Sequence, residues 1–464
     1  CGVSGEPIST VLSRICVRRP DARSSVIAPF RRLCWPKAVT QAAHAVPPLQ
    51  HGRHTMTEAL RNIIARNRAG DRVAIVSVCS AQPDVLRASI AMAQRLDRQI
   101  VIEATSNQVN QDGGYTGITP SEFIEYVHGL ADDVAADRER IIFGGDHLGP
   151  QAWRRLNAKA AMAKAEVLVR DYVAAGFHKI HLDCSEGCAG HPAQLGDDVT
   201  AMRSAQLARV CCDAGDDLLF VVGTEVPPPG GARMDEYGDI PPTKPDAARA
   251  TLLAHDAAFG DMATLIGGLV VQPGVEFSPT AVHPMPMERD PYLLDALRDH
   301  PHVCLEAHST DYQEAAVFPR LADLGFAFQK VGPALTFVYR EAIYALDRLR
   351  EPTGGLQAVM EKVMQTDPAE WQGHYSGDAA ALYQQRHFGL ADRIRYYWPH
   401  ADAQAAVTDL KQSFSNTIPD ASLSKAFSAD ILERADMLNG SQVQRLIDAQ
   451  IEMALQPYFF EEIQ

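Results

Sequence analysis

A chain of 464 residues, 46% of them hydrophobic, is long enough to bury one large core and to carry an appendage. No apolar stretch reaches the roughly 20 residues needed to cross a bilayer, and a net charge of −15 argues against nucleic acid and anionic membrane as main partners. The nine cysteines follow neither zinc-finger nor disulfide-framework spacing, and several stand in apolar runs, so reduced thiols and a cytoplasmic setting are expected.

Residues 1–55 differ in kind. They carry eight Arg or Lys against two acids, Glu6 and Asp21, and have no apolar periodicity. Two readings stand: a transit-like basic leader, or an upstream or vector-derived extension. Either way a disordered segment outside the fold is expected, and removing its net +6 leaves −21. Met56 then opens a helical pattern, TEALRNIIARNRAG.

From there to residue 354, eight short apolar runs each end on a chemically capable side chain. They close at Cys79 and Ser80, Glu103, Asp146 and His147, Asp183, Glu225, Gln272, Glu306 and His308, and Lys330. Between them lie stretches of helical period: Pro83–Leu96, Ser121–Ala135, Ala160–Ala175, Ala201–Asp213, Pro245–Phe259 and Tyr312–Leu324. Thr119-Pro120-Ser121-Glu122 is a helix start, with an N-cap residue, a first-turn Pro and a first-turn acid. The runs lack polar alternation, as strands covered on both faces do. Eight such units in unbroken alternation predict a (β/α)8 barrel over 56–354, its active site at the C-terminal strand ends. Three long Gly- and Pro-rich loops, Asn107–Gly117, Ser185–Leu195 and Val226–Pro242, follow strand ends and so fall on that face. Residues 355–464 read as a helical extension packed on the barrel. Its cluster Arg393-Ile394-Arg395-Tyr396-Tyr397-Trp398-Pro399-His400 places Arg near the mouth or at a subunit contact.

The strand ends define the candidate chemistry. In Gly144-Gly145-Asp146-His147-Leu148-Gly149-Pro150 the glycines permit close approach, and the acid and imidazole can serve as acid/base or metal ligand. Asp183 ends its run facing the site; His181, two residues earlier, reads as a core histidine. His147, Glu225 and His308 form the expected divalent-metal set, brought together by closure of alternate strands; a metal-free polar site is the competing reading. Lys330 opens a helix where barrels of this type bind phosphate. Asp146, Asp183 and Lys330 are the expected catalytic residues, and Glu103, Asn107, Gln272, Ser309 and Gly332 the substrate-binding ones, with Cys79 in support. An anionic substrate requires Lys330, Arg340 or the Arg393–Arg395 cluster to make the mouth locally positive in so acidic a chain. No GxxxxGK[ST], GxGxxG after a strand, or GxSxG string occurs, so neither a P-loop nor a nicotinamide site is supported.

The strings SVCSAQP, IEATSNQVNQDGGYTG, RIIFGGDHLGP, GFHKIHLDCS, VGTEVPPPGG, VVQPGVEF, EAHSTDYQ, KVGPALTF and DRIRYYWPH run in order from Ile75 to His400. Together they resemble the tagatose-bisphosphate aldolase accessory-subunit family of the GatZ/KbaZ type. The resemblance implies a TIM barrel acting on ketohexose phosphates, in one of three described roles. These are a D-tagatose 6-phosphate/D-fructose 6-phosphate 4-epimerase, a non-catalytic partner of a class II D-tagatose-1,6-bisphosphate aldolase, and, least favoured without a nucleotide loop, a tagatose-6-phosphate kinase. C4 of a 2-ketose is not α to the carbonyl, so epimerisation there needs hydride transfer or cleavage of C3–C4. Without a dinucleotide fingerprint the retro-aldol route is expected, assisted by a divalent ion (Zn, Mn or similar) and a base on the C4 hydroxyl. A homo-oligomer is compatible with these features.

Overall fold

The computed structural model describes residues 55–223, 240–350, 353–414 and 416–463. The expectations for residues 1–54 and for Glu225 lie outside the described residues.

Strands β1 (Ile75–Cys79), β2 (Ile100–Thr105), β3 (Ile141–Leu148), β4 (Lys179–Leu182), β5 (Leu219–Val222) and β6 (Ile266–Val270) are followed by a two-stranded hairpin, β7 (Glu276–Phe277) and β8 (Val282–His283). Then come β9 (Cys304–Ala307) and β10 (Phe326–Val331). All strands but the hairpin pair in parallel and close in the order β1-β10-β9-β6-β5-β4-β3-β2, the predicted (β/α)8 barrel. Their continuous burial reflects apolar cover on both faces.

The lower interior is filled by Ile75, Val101, Ile142, Leu219, Val221, Val270 and Phe328. Helix Met56–Arg68 closes this end with Leu60 and Ile64, so the side-chain layers above can be polar without opening the core to water. Local chemistry sets the surrounding helices. Pro83 begins one behind Gln82, whose Oε1 accepts from Val85 N at 2.9 Å. At Pro120 the expected start is present, with Thr119 N donating to Glu122 Oε2 at 2.9 Å.

Two expectations are corrected. The alternation is broken between β6 and β9, where the hairpin and a short 3-10 turn, Leu293–Leu297, replace a crossover helix. The helix expected over Tyr312–Leu324 spans only Val317–Asp323. Its first residues are held elsewhere: Tyr312 has a φ of 64°, and Gln313 accepts from Met285 N and donates to His283 O, both at 3.0 Å.

Among the described residues six α-helices follow residue 353, the last being Gln442–Leu455, which packs on Pro83–Arg95 and Pro333–Leu349. Arg95–Glu452 at 2.6 Å, Lys411–Asp84 at 2.8 Å and Arg87–Asp448 tie these layers. Arg340 is buried, on Asp392 at 3.3 Å and over Phe337, and therefore braces this packing rather than charging the mouth. No helix of the described residues is long and apolar enough to cross a membrane.

Candidate active site

Strand alternation stacks charge above the apolar floor. Lys179 of β4 reaches Glu103 Oε1 and Glu306 Oε2, each at 2.7 Å, with all three side chains fully buried. The Cβ position at Gly144 would lie 2.8 Å from Glu103 Cγ, so glycine there makes room for the carboxylate. Above this layer Lys330 Nζ contacts Asp146, with Glu103 at 3.4 Å and Glu306 at 3.7 Å. Both lysines are held above their ordinary pKa: burial opposes the charge, and the surrounding carboxylates overcome it. Lys330 is thus favoured as an ammonium and is engaged by three carboxylates.

The top layer holds three imidazoles. The ring centroids of His147, His181 and His308 lie 4.6–5.3 Å apart. Alternation alone would turn His147 away from Asp146. A register shift after Gly145 and a φ of 44° at His147 bring both inward. At Gly149 a Cβ would lie 1.8 Å from Asp183 O, so only glycine lets the β3 loop lie against the end of β4.

His181 Nε2 donates to Gly223 O at 3.1 Å, which presents Nδ1 toward Asp146 Oδ1, also at 3.1 Å. His308 Nε2 donates to Glu306 Oε1 at 2.9 Å. Burial, then Lys330, pushes the His308 pKa down to about 3, so this ring is neutral. Asp146, His181 and His308 offer ligating atoms all within 4.8 Å of one another. Imidazoles anchored through their far N–H are the arrangement that metal-binding histidines adopt. The charges agree: Lys179 and Lys330 face four carboxylates, Glu103, Glu306, Asp146 and Asp183. These residues fit a divalent ion.

Beside this trio, His147 Nδ1 bonds Asp183 Oδ2 at 2.8 Å, and Ser185 fixes the other oxygen through Oγ at 2.7 Å and N at 3.1 Å. Burial works against the His147 cation, but Asp146 and Asp183 prevail and raise its pKa. For Asp146 burial pushes upward, and His147, Lys330 and His181 hold it well below the carboxylate range. Cys79 donates from Sγ to Asp146 Oδ2 at 3.3 Å, its thiol pushed well up by burial and then by Asp146.

The structure thus gathers Asp146, His147, Asp183, His308 and Lys330, with Glu103 beneath them. Glu103, expected at the substrate, is fully buried and lies 2.7 Å from Lys179 and 3.4 Å from Lys330. Gln272 Oε1 accepts from Gly274 N and Val275 N at 2.9 and 3.0 Å, so it caps its own loop. Gly332 and the helix behind it do not offer a free phosphate site. Asp311 Oδ1 accepts from Gly332 N at 3.0 Å and Ala334 N at 2.8 Å. Ser309 follows His308 in a left-handed conformation. Asn107 lines a cleft of about 860 Å³ between the β2 loop and the C-terminal extension, with Tyr115, Trp153, Arg393 and Tyr396. His181, Lys179 and Asp311 were not foreseen as site residues. For the first two a signal existed, because 179, 181 and 183 share one strand face with Asp183.

An eight-stranded parallel barrel with ionisable groups collected at the C-terminal strand ends is the architecture of barrel enzymes. Residues 60–461 match the family described as D-tagatose-1,6-bisphosphate aldolase subunit GatZ/KbaZ-like, and the chain belongs to that family. A relative from Agrobacterium fabrum (strain C58), named D-tagatose 6-phosphate 4-epimerase, is 45% identical over 382 residues, covering 79% of this chain and 90% of its own. A crystal structure of a probable tagatose 6 phosphate kinase from Sinorhizobium meliloti 1021 is 42% identical. It superimposes with a TM-score of 0.76, covering 83% of this chain and 99% of that one.

Proposed function

We propose that the protein is a D-tagatose 6-phosphate/D-fructose 6-phosphate 4-epimerase that breaks and re-forms C3–C4, with a divalent ion held by Asp146, His181 and His308. The observation that carries this reading is the ligand trio lying beside a separate Asp183–His147 pair. Relative to the roles expected from sequence, His147 and Asp146 exchange places: His147 moves protons and Asp146 holds the ion.

When bound, the ion supplies Lewis acidity to the C2 carbonyl. His147, oriented by Asp183, takes the C4 hydroxyl proton while the C3–C4 electron pair moves toward C2. The products are a three-carbon enediolate and a C4 aldehyde carrying the phosphate. Lys330 offsets the developing negative charge. Rotation of the aldehyde presents its other face, re-addition inverts C4, and His147 returns the proton, so no atom is gained or lost.

The family description favours a second reading, an accessory subunit of a class II aldolase. Purified protein is assayed alone with each hexulose 6-phosphate, with and without Zn or Mn. Metal-dependent interconversion supports the epimerase; no turnover together with activation of an added class II aldolase supports the subunit. The kinase name of the structural relative has less support here, since the chain has no P-loop string.

A further inference from the structure

We propose that Gln151 and Ser106 are positioning residues that together hold the main-chain carbonyl of His147 and so keep its ring turned into the site. The proposal rests on the reading of His147 as the base and names what keeps that base in place.

The register shift in β3 creates the need. Gly145 pairs with Ile180 and Leu148 with Leu182, so Asp146 and His147 stand opposite His181 alone. Pairing with β2 ends at Thr105 and Asp146. An ordinary strand conformation would point the His147 ring to the face opposite Asp146. His147 instead has a φ of 44°, a left-handed conformation that a residue with a Cβ keeps only when its surroundings impose it.

Two side chains supply that constraint. Gln151 Nε2 donates to His147 O at 3.0 Å, and Ser106 Oγ donates to the same oxygen at 3.3 Å. A carbonyl oxygen has two lone pairs, so it can accept both. Each donor is itself fixed. Ser106 is fully buried, and its own carbonyl accepts from Asn110 Nδ2 at 2.8 Å. Gln151 stands in the 3-10 turn Pro150–Trp153, where its carbonyl accepts from Arg154 N at 3.2 Å. Gly149, whose missing Cβ lets the chain lie against β4, sets where that turn begins. At the other end of the residue, Asp183 holds His147 Nδ1 at 2.8 Å. With carbonyl and ring both tied, the Cα–Cβ bond of His147 has little freedom to swing outward. Gln151 also lines the cleft of about 860 Å³, so replacing its side chain opens onto that cleft rather than into a packed core.

The test compares the full wild-type chain with Gln151→Met, which keeps the length and flexibility of the side chain without its N–H donors, and with Ser106→Ala. For Gln151→Met we expect kcat with tagatose 6-phosphate to fall about 10- to 100-fold, the factor by which a left-handed residue is disfavoured once released. KM should stay within about threefold, because the lost contact orients the base and does not bind the sugar. Bound metal, read by elemental analysis, should be unchanged. Ser106→Ala removes the longer bond and should lose less, and the double variant should lose more than either. Gln151→Ala takes the place of Gln151→Met should that variant fail to fold. A wild-type kcat in the folded Gln151 variant, or a loss confined to KM, overturns the assignment. So does metal lost together with kcat, which marks a collapsed site rather than a misplaced base. Should wild type interconvert neither hexulose 6-phosphate, the epimerase reading fails separately, and NMR of histidine-labelled protein still decides the clamp. The His147 ring signal is identified by its absence in His147→Ala. A shift or broadening of that signal in Gln151→Met sustains the clamp, and a signal identical to wild type overturns it.

Discussion

Asp183→Asn isolates the proton-transfer pair. The substitution keeps the shape of the side chain and its Ser185 contacts, but replaces the carboxylate oxygen 2.8 Å from His147 Nδ1 with an amide. The charged hydrogen bond lost is worth about 1.5–3 kcal/mol. An amide N–H facing Nδ1 also favours the tautomer with its proton on Nε2, which cannot accept the C4 hydroxyl proton. The two effects together predict a fall in kcat of about 10²- to 10⁴-fold. The pH profile gives a second reading. His147 is raised because Asp146 and Asp183 outweigh burial, and as a base it works above its own pKa. Removing Asp183 lowers that pKa, so the acid limb of kcat/KM moves to lower pH. Stability follows with the opposite window. A raised histidine stabilises the fold below its unfolded pKa of about 6.5, and that contribution fades as pH rises through the raised value. The variant should therefore lose more stability at pH 5.5 than at pH 9. Steady-state kinetics from pH 5 to 9 with parallel melting curves measure both. A kcat within threefold of wild type and an unmoved acid limb would refute the assignment of His147 as the base.

Three further outcomes are expected. Lys179→Met strands Glu103 and Glu306 in the core and should cost about 3–5 kcal/mol in denaturant unfolding, part of it recovered by adding Glu103→Gln; a cost under 1 kcal/mol would show that the buried layer is not held by this ion network. His181→Ala should lower bound metal, read by elemental analysis of purified protein, to below about a tenth of wild type, whereas His147→Ala should retain it; the reverse order would restore the ligand set expected from sequence. Asp311 is pushed up to about 6 by burial, with the Ala334 and Gly332 N–H groups working against the rise. Its folded pKa exceeds the unfolded value, so its contribution is present below about pH 4 and lost as pH rises through 6. The stability of wild type relative to Asp311→Asn should fall by on the order of 3 kcal/mol across that window, and a flat difference between pH 4 and 7 would contradict it.

The barrel was legible because buried parallel strands are short, apolar and closed by punctuating residues, and eight of them admit one closure. The site was legible as a set of strand ends, not as a set of roles. His181 reads as a core residue on its strand, and only closure shows Gly223 fixing one nitrogen and Asp146 facing the other. The inward turn of His147 depends on a register shift and a left-handed backbone that periodicity does not announce. Arg340 reads in sequence as a cation for the mouth; Asp392, 52 residues further on, makes it a brace. Glu103 stands where an active-site acid belongs, yet Lys179, 76 residues further on, claims it.

The central claim is that C4 is inverted by opening C3–C4. Tagatose 6-phosphate carrying deuterium at C4, incubated with metal-replete protein and followed by NMR, tests this most directly. The account predicts fructose 6-phosphate that retains the deuterium at C4, formed only while divalent metal is present and without added nicotinamide. Loss of the label to solvent, or interconversion undiminished after exhaustive chelation, would contradict it.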